Sequence, residues 1–189
     1  MLLNPVEKSL MNNPIRAAIQ RYGEGAALRR LGGRCDGARA LEVGCGRGVG
    51  MRIIREDFGA AEIVAFDLDP DMVRLAGAGA YVADAEHIPE PDASFDAVFD
   101  FAILHHVPAW RKAIGEIARV LRPRGRFYFE EPTGKLTRMA AVRALLAHPD
   151  QGRFDPTEWF SAVEGAGFEI HARRTLLADR WLLGVATRR

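Results

Sequence analysis

Apolar positions along the chain fall into two kinds of run, short continuous stretches and longer stretches at helical spacing. The clearest continuous run ends at Ala40-Leu41-Glu42-Val43. It passes into Gly44-Cys45-Gly46-Arg47-Gly48-Val49-Gly50, and then into Met51, Ile53, Ile54 and Phe58 at helical spacing. Strand, glycine-rich turn and helix in that order predict the first unit of a doubly wound α/β sheet. Ahead of it, residues 6–31 read as helical, with Val6, Leu10, Ile15, Ile19, Leu28 and Leu31 among the apolar positions. A break is expected at Asn12-Asn13-Pro14 and a second interruption at Tyr22-Gly23-Glu24-Gly25.

The rest of the chain continues the alternation. Strands are expected at residues 62–66, 81–83, 95–100 and 126–131, with helices near 71–78 and 110–121. The run Glu62-Ile63-Val64-Ala65-Phe66 is mostly apolar, as a strand buried on both faces should be. Residues 136–147 predict an amphipathic helix with Leu136, Met139, Val142, Leu145 and Leu146 on one side. Asp155-Pro156-Thr157-Glu158 has capping-box spacing, so a helix starts there, and Gly165-Ala166-Gly167 stops it. The stretches 168–176 and 181–186 have so little between them that they predict an antiparallel hairpin. Together these elements predict an α/β fold: a three-layer, doubly wound, Rossmann-like sheet of seven mostly parallel strands closed by that hairpin.

At 189 residues the chain fits one domain, with a helical cap at 1–31, a core at 38–189 and 133–154 as a lid insertion. Composition narrows the class. The net charge is +1 and the arginines are scattered, which argues against a nucleic-acid partner. No apolar run is long enough to insert in a membrane, and the N-terminus does not read as a signal peptide. Two cysteines, Cys35 and Cys45, make neither a disulfide framework nor a zinc pattern, so a reducing cytoplasm is the expected compartment.

The glycine run excludes two common ligands by its spacing. A dinucleotide fingerprint fails because its sixth position is Val49 counted from Gly44 and Met51 counted from Gly46. The phosphate-loop pattern fails because Gly50 is followed by Met51. The acidic residue at the strand's end, Glu42, would repel a pyrophosphate and suits a ligand carrying an ammonium group. Asp67 follows the second strand about 20 residues further on, the spacing at which such folds place a carboxylate on a ribose diol. Asp84 follows the third strand, and Phe101 to Pro108 follow the fourth, so all reach the same sheet edge.

The order of these motifs resembles the class I S-adenosylmethionine-dependent methyltransferases, in the small-molecule group that includes the quinone C-methylases. The resemblance covers residues 38–187. It rests on Glu42-x-Gly44-x-Gly46-x-Gly48, Asp67, Asp84-Ala85, Phe95-Asp96-Ala97-Val98 running into Leu104-His105-His106-Val107, and the tail Glu116 to Gly125. It implies S-adenosyl-L-methionine as cofactor. Gly44, Cys45, Gly46 and Gly48 would lie against its methionine moiety, with Glu42 near the ammonium. Asp67 would take the ribose hydroxyls, Leu68 would lie beside the adenine, Asp84 and Ala85 would bind the adenine edge, and Phe101 would line the sulfonium end. Two departures stand out: the stretch between Asp69 and Tyr81 is short, and Arg124 occupies a position where the family usually has glycine.

The resemblance implies methyl transfer; the amphipathic stretches 1–31 and 133–154 outside the sheet point to a small, partly apolar acceptor rather than nucleic acid or protein, and no metal is expected. Met11, Tyr22, Met139, Leu145 and Leu146 are the residues available to line an apolar acceptor cavity. Methyl transfer needs a general base only when the acceptor holds a proton near neutral pH. The candidates are His105, His106, Glu130 and Glu131, and His105 is the catalytic choice. A methyltransferase-like binding protein without catalysis, or an enzyme acting on protein or nucleic acid, would carry the same cofactor motifs.

Overall fold

The computed structural model describes residues 13–139 and 153–189. Asn13 caps the first helix by accepting from the Arg16 backbone N–H at 2.9 Å, and Pro14 takes the first helical position. Helix α1 (Pro14–Ala18) runs into a π-helical stretch (Ile19–Gly25) and then into α2 (Ala26–Gly32). The π-helical stretch spans the expected interruption at residues 22–25. The core then alternates as β1 (Arg39–Val43), α3 (Val49–Glu56), β2 (Glu62–Asp67), α4 (Pro70–Ala76), β3 (Ala80–Val82), β4 (Phe95–Phe101), α5 (Trp110–Val120) and β5 (Leu121–Pro132). It continues with one turn of α6 (Gly134–Thr137), α7 (Pro156–Gly165), β6 (Phe168–Leu176) and β7 (Trp181–Arg188).

The seven strands form one sheet in the order β3-β2-β1-β4-β5-β7-β6. β3, β2, β1, β4 and β5 are parallel, and β7 pairs antiparallel with both β5 and β6. The seven-stranded doubly wound sheet and its C-terminal hairpin are therefore as the sequence pattern predicts. One face carries Leu28, Ile53, Ile54, Phe58, Phe99 and Tyr128; the other carries Ile114, Ile117, Phe127, Phe129, Trp159 and Val163. Strands sandwiched between two apolar layers explain why their sequences lack a period-two alternation.

Local signals set the helix boundaries. Asp69 caps α4 by accepting from the Asp71 N–H, and α4 is clipped to seven residues. Asp155 and Glu158 form the reciprocal capping box at the start of α7. The turn at Arg122-Pro123-Arg124-Gly125 appears as a register shift inside β5, where Phe95 pairs with Leu121 but Ala97 pairs with Arg126.

Arg124 holds φ = 67°, the left-handed region that glycine adopts without a steric penalty. A side chain there costs about 1–2 kcal/mol, partly offset by the extra entropy that glycine would carry when unfolded. Arg124→Gly is expected to stabilise the protein by up to about 1 kcal/mol in urea unfolding. Unchanged or lower stability would mean that the arginine's surface contacts outweigh the strain.

The N-terminal helices depart from the 3.6-residue reading. Ile15 and Ile19 are 73% and 52% exposed, and Tyr22 is 76% exposed, while Leu28 is fully buried. A π-helical turn holds more residues than an α-helical one, so it changes the phase of the apolar stripe before α2 begins. Most of the helix expected at 136–147 lies at residues 140–152, outside the described residues, together with Val142, Leu145 and Leu146. Val6, Leu10 and Met11, the start of the cap and the tip of the proposed lid likewise fall outside them.

Candidate functional site

Parallel strands deliver their following loops to one sheet edge, and there the chain encloses a cavity. It is lined by residues 42–47 after β1, residues 66–69 after β2, residues 83–86 after β3, and residues 101–103 and 106–108 after β4. Nine of the ten residues expected to bind cofactor line it: Glu42, Gly44, Cys45, Gly46, Asp67, Leu68, Asp84, Ala85 and Phe101. Gly48 does not. It sits at the N-cap of α3 with φ = 79°, against Ala76 of α4.

Hydrogen bonds strap the glycine loop to the neighbouring strand. The Cys45 N–H donates to the Phe66 carbonyl at 2.9 Å, and the Gly46 N–H donates to Asp67 Oδ2 at 2.9 Å. Asp67 Oδ1 accepts from the Asp69 N–H at 2.9 Å, so this carboxylate organises both its own turn and the glycine loop. Each of its oxygens keeps a lone pair for a ligand hydroxyl. Asp67→Ala is expected to weaken S-adenosylhomocysteine binding by about 1.5–3 kcal/mol, the range for hydrogen bonds to a charged group. Parental affinity in calorimetry would reduce Asp67 to a turn former. At the next loop Asp84 Oδ1 accepts from the Glu86 N–H, which presents the Ala85 backbone beside it.

Glu42 has the most demanding environment. Its side chain is 1% exposed, and its Oε2 has no hydrogen-bond partner among the described residues. Burial, reinforced by the charge of Asp67, pushes its pKa well above the ordinary carboxylate range, and the Met51 backbone N–H opposes the shift. An ionised carboxylate without a counter-charge is costly in such a place. A ligand ammonium would supply that charge, so the residues present fit the amino-acid end of S-adenosyl-L-methionine. Burial also pushes up the Cys45 thiol, which keeps it neutral beside the ligand position.

The sequence pattern does not reveal Gly50, the first-turn glycine of α3. A Cβ there would lie 1.9 Å from Glu42 Oε1 and 2.9 Å from the Phe101 ring. The missing side chain makes room for the buried carboxylate. Arg16 and Gln20 of the N-terminal helical region also line the cavity and also escape the sequence reading.

On the acceptor side the structure separates the two histidines. They occupy a single 3-10 turn, residues 104–106, in which successive side chains point about 120° apart. His106 lines the cavity; His105 does not. His105 Nδ1 lies 2.6 Å from Glu131 Oε2, and its ring packs at 3.9 Å against that of His106. Glu131 also accepts from the Leu104 and His105 backbone N–H groups, and burial pushes its pKa up to about 8. Next to it, fully buried Asp100 is driven well above the carboxylate range by burial and by the Glu131 charge, and it accepts from the Ile103 N–H. This acidic pair at the ends of β4 and β5 ties down the loop that carries both histidines.

Tyr22 and Met139 do not line this cavity; they are 76% and 41% exposed. Its apolar wall comes from Val43, Val49, Phe66, Phe101, Ile103 and Val107.

Residues 41–129 match the family described as a methyltransferase domain. Over 168 residues the chain is 31% identical to a fatty-acid O-methyltransferase of Mycolicibacterium smegmatis, covering 85% of this chain and 53% of that protein. Over 134 residues it is 34% identical to a phthiotriol/phenolphthiotriol dimycocerosates methyltransferase of Mycobacterium tuberculosis, covering 67% of this chain and 47% of that one. The chain thus spans about half the length of these curated relatives. Among solved structures it resembles an S-adenosylmethionine-dependent methyltransferase from Aquifex aeolicus, with a TM-score of 0.72, 19% identity and 97% of each chain covered. At that identity the likeness is one of fold. Residues 41–129 thus carry a methyltransferase-domain match, and the chain resembles the class I S-adenosylmethionine-dependent methyltransferases, whose cofactor is S-adenosyl-L-methionine.

Proposed function

We propose that this protein transfers the methyl group of S-adenosyl-L-methionine to a small acceptor with a large apolar surface, such as a fatty acid. The observation that carries the reading is Glu42: a buried carboxylate whose Oε2 has no hydrogen-bond partner among the described residues, set beside the strapped glycine loop in the cavity wall. The fatty-acid O-methyltransferase relative supports the acceptor class, and so does the wall formed by Val49, Phe101, Ile103 and Val107. Among the described residues no helix is long and apolar enough to cross a membrane. Both cysteines are buried free thiols, which suits the reducing cytoplasm we propose as its compartment.

The cofactor supplies a sulfonium methyl group, displaced in line with a neutral thioether as the leaving group. The chain's own residues align the two partners and exclude water, and no oxyanion hole is called for. A carboxylate acceptor would need no base. For an acceptor that keeps its proton, His106 is the imidazole placed to take it.

The test is radiolabelled methyl transfer by the purified protein to a panel of fatty acids of increasing chain length and of alkylphenols. Transfer that rises with chain length is expected. Cofactor binding with no transfer to any member would favour a binding protein without catalysis. Label in protein or nucleic acid would overturn the small-acceptor reading.

A further inference from the structure

We propose that the outward face of the N-terminal helical run, residues 14–32, docks on an anionic lipid surface. The run has two faces of opposite character. Its inner face carries Arg16, Gln20, Glu24 and Leu28 at a spacing of four. Arg16 and Gln20 line the cavity, Glu24 accepts from Arg16 Nη1 at 2.6 Å, and Leu28 is fully buried. A four-residue spacing suits a run in which wider π-helical turns are inserted among 3.6-residue ones.

The outer face holds Ile15, Ala18, Ile19 and Tyr22, all exposed, and the three large ones are each more than half in solvent. Large apolar side chains on successive turns of one helical face make a patch rather than a scatter, and a patch of that kind marks an interaction surface. It continues into a recess between the π-helical stretch and α3, lined by Ala18, Tyr22, Val49 and Ile53 together with Arg21 and Arg52.

Charge selects the occupant. Arg21 is spent on Glu56 and Asp57, at 2.7 and 3.0 Å, and the one acidic residue of the run, Glu24, is turned inward onto Arg16. Arg29 and Arg30, two turns beyond Tyr22, and Arg52 and Arg55 on α3 are exposed. An apolar patch with a cationic surround fits anionic headgroups. The apolar side chains enter the acyl boundary while the arginine stems reach the headgroups, so the run lies on the surface and does not span it. A second copy in an isologous contact would set these same arginines against one another.

The docked face would lie about one helix diameter, roughly 10 Å, from the cavity that Arg16 and Gln20 line on the opposite side. An apolar acceptor dissolved in the lipid would then reach the cavity past a single helix, which suits the proposed acceptor class without depending on it. The test is flotation of the whole protein with vesicles of phosphatidylcholine alone and of an equal mixture with phosphatidylglycerol. The parent is expected to float with the mixed vesicles, far less with the neutral ones, and less again as salt rises to about 0.5 M. The double variant Arg29→Gln, Arg30→Gln should lose roughly fivefold in partition for each arginine. The double variant Ile15→Ser, Ile19→Ser should lose at least about tenfold, with parental circular dichroism.

A parent that floats with neither vesicle would overturn the proposal, as would variants that partition as the parent does. Equal flotation with neutral and anionic vesicles would overturn the charge selection. A dimer in sedimentation equilibrium that Ile15→Ser, Ile19→Ser abolishes would assign the face to a second copy instead. Flotation is read without cofactor or turnover, so a protein that transfers no methyl group to any acceptor still passes or fails this test on its own.

Discussion

Gly46→Val is expected to abolish binding of S-adenosylhomocysteine while leaving the protein folded. Gly46 has φ = 49°, and a Cβ built on it meets nothing within 4 Å, because it projects into the open cavity beside the Gly44-Cys45-Gly46 backbone. The strain of a side chain in that conformation costs about 1–2 kcal/mol, an amount a domain of this size tolerates. The isopropyl group would stand where the ligand must approach the main chain. Gly44→Val, two residues earlier, should behave differently. There a Cβ would come within 2.3 Å of Ile103 Cγ1, at φ = 68°. Overpacking and left-handed strain together predict a loss of about 2–5 kcal/mol in stability. Urea unfolding and calorimetry on the two variants separate the cases. A folded Gly46→Val that binds with parental affinity would show that the ligand does not lie against this loop.

The contrast between these glycines shows what the sequence could reveal. Alternating glycines after an apolar strand announce a loop of unusual dihedrals, and the failed dinucleotide spacing rules out one class of ligand. Both signals are local. The alternation of strands and helices, the C-terminal hairpin and the cap at Asp155 were legible for the same reason, since each depends on a few neighbouring residues. The role of Gly50 was not, because it depends on Glu42 turning toward the first turn of α3 from a different element. His105 and His106 are indistinguishable as letters; a single 3-10 turn decides which of them lines the cavity. At the N-terminus the π-helical stretch shifts the phase of the helix. It leaves Ile15, Ile19 and Tyr22 in solvent, while Arg16 and Gln20 line the cavity. A periodicity rule with a fixed 3.6-residue turn cannot anticipate that.

Arg16 also alters what truncation should do. A cap that only covered an acceptor site could be removed without touching the cofactor. With Arg16 and Gln20 in the cavity lining, deletion of residues 1–21 removes part of that lining as well. Loss of turnover after such a deletion would not separate a lid from a binding element, which is why single substitutions read by ligand affinity are the sharper tool.

Binding of the cofactor should be coupled to release of a proton from Glu42. Burial and the charge of Asp67 raise its pKa well above the ordinary carboxylate value when no ligand cation is present, which favours the neutral carboxyl in the free protein. An ammonium seated against it favours the ionised form and pulls the pKa down. The sign follows: the free protein binds more protons than the complex, so affinity must rise with pH up to the raised pKa. The slope should approach about tenfold per pH unit where Glu42 is fully protonated in the free protein. Measurements belong below about pH 7.5, before the ligand's own amino group begins to lose its charge. Calorimetry with S-adenosylhomocysteine at pH 6 in buffers of different ionisation enthalpy should report a net release of protons. Glu42→Gln, which preserves the shape and removes the titration, should release none, bind more weakly and show a flat pH profile. A binding enthalpy independent of buffer, with equal affinity at pH 5.5 and 7, would mean that Glu42 does not meet the ammonium, and that its isolated carboxyl serves the packing of Gly50 and Phe101 instead.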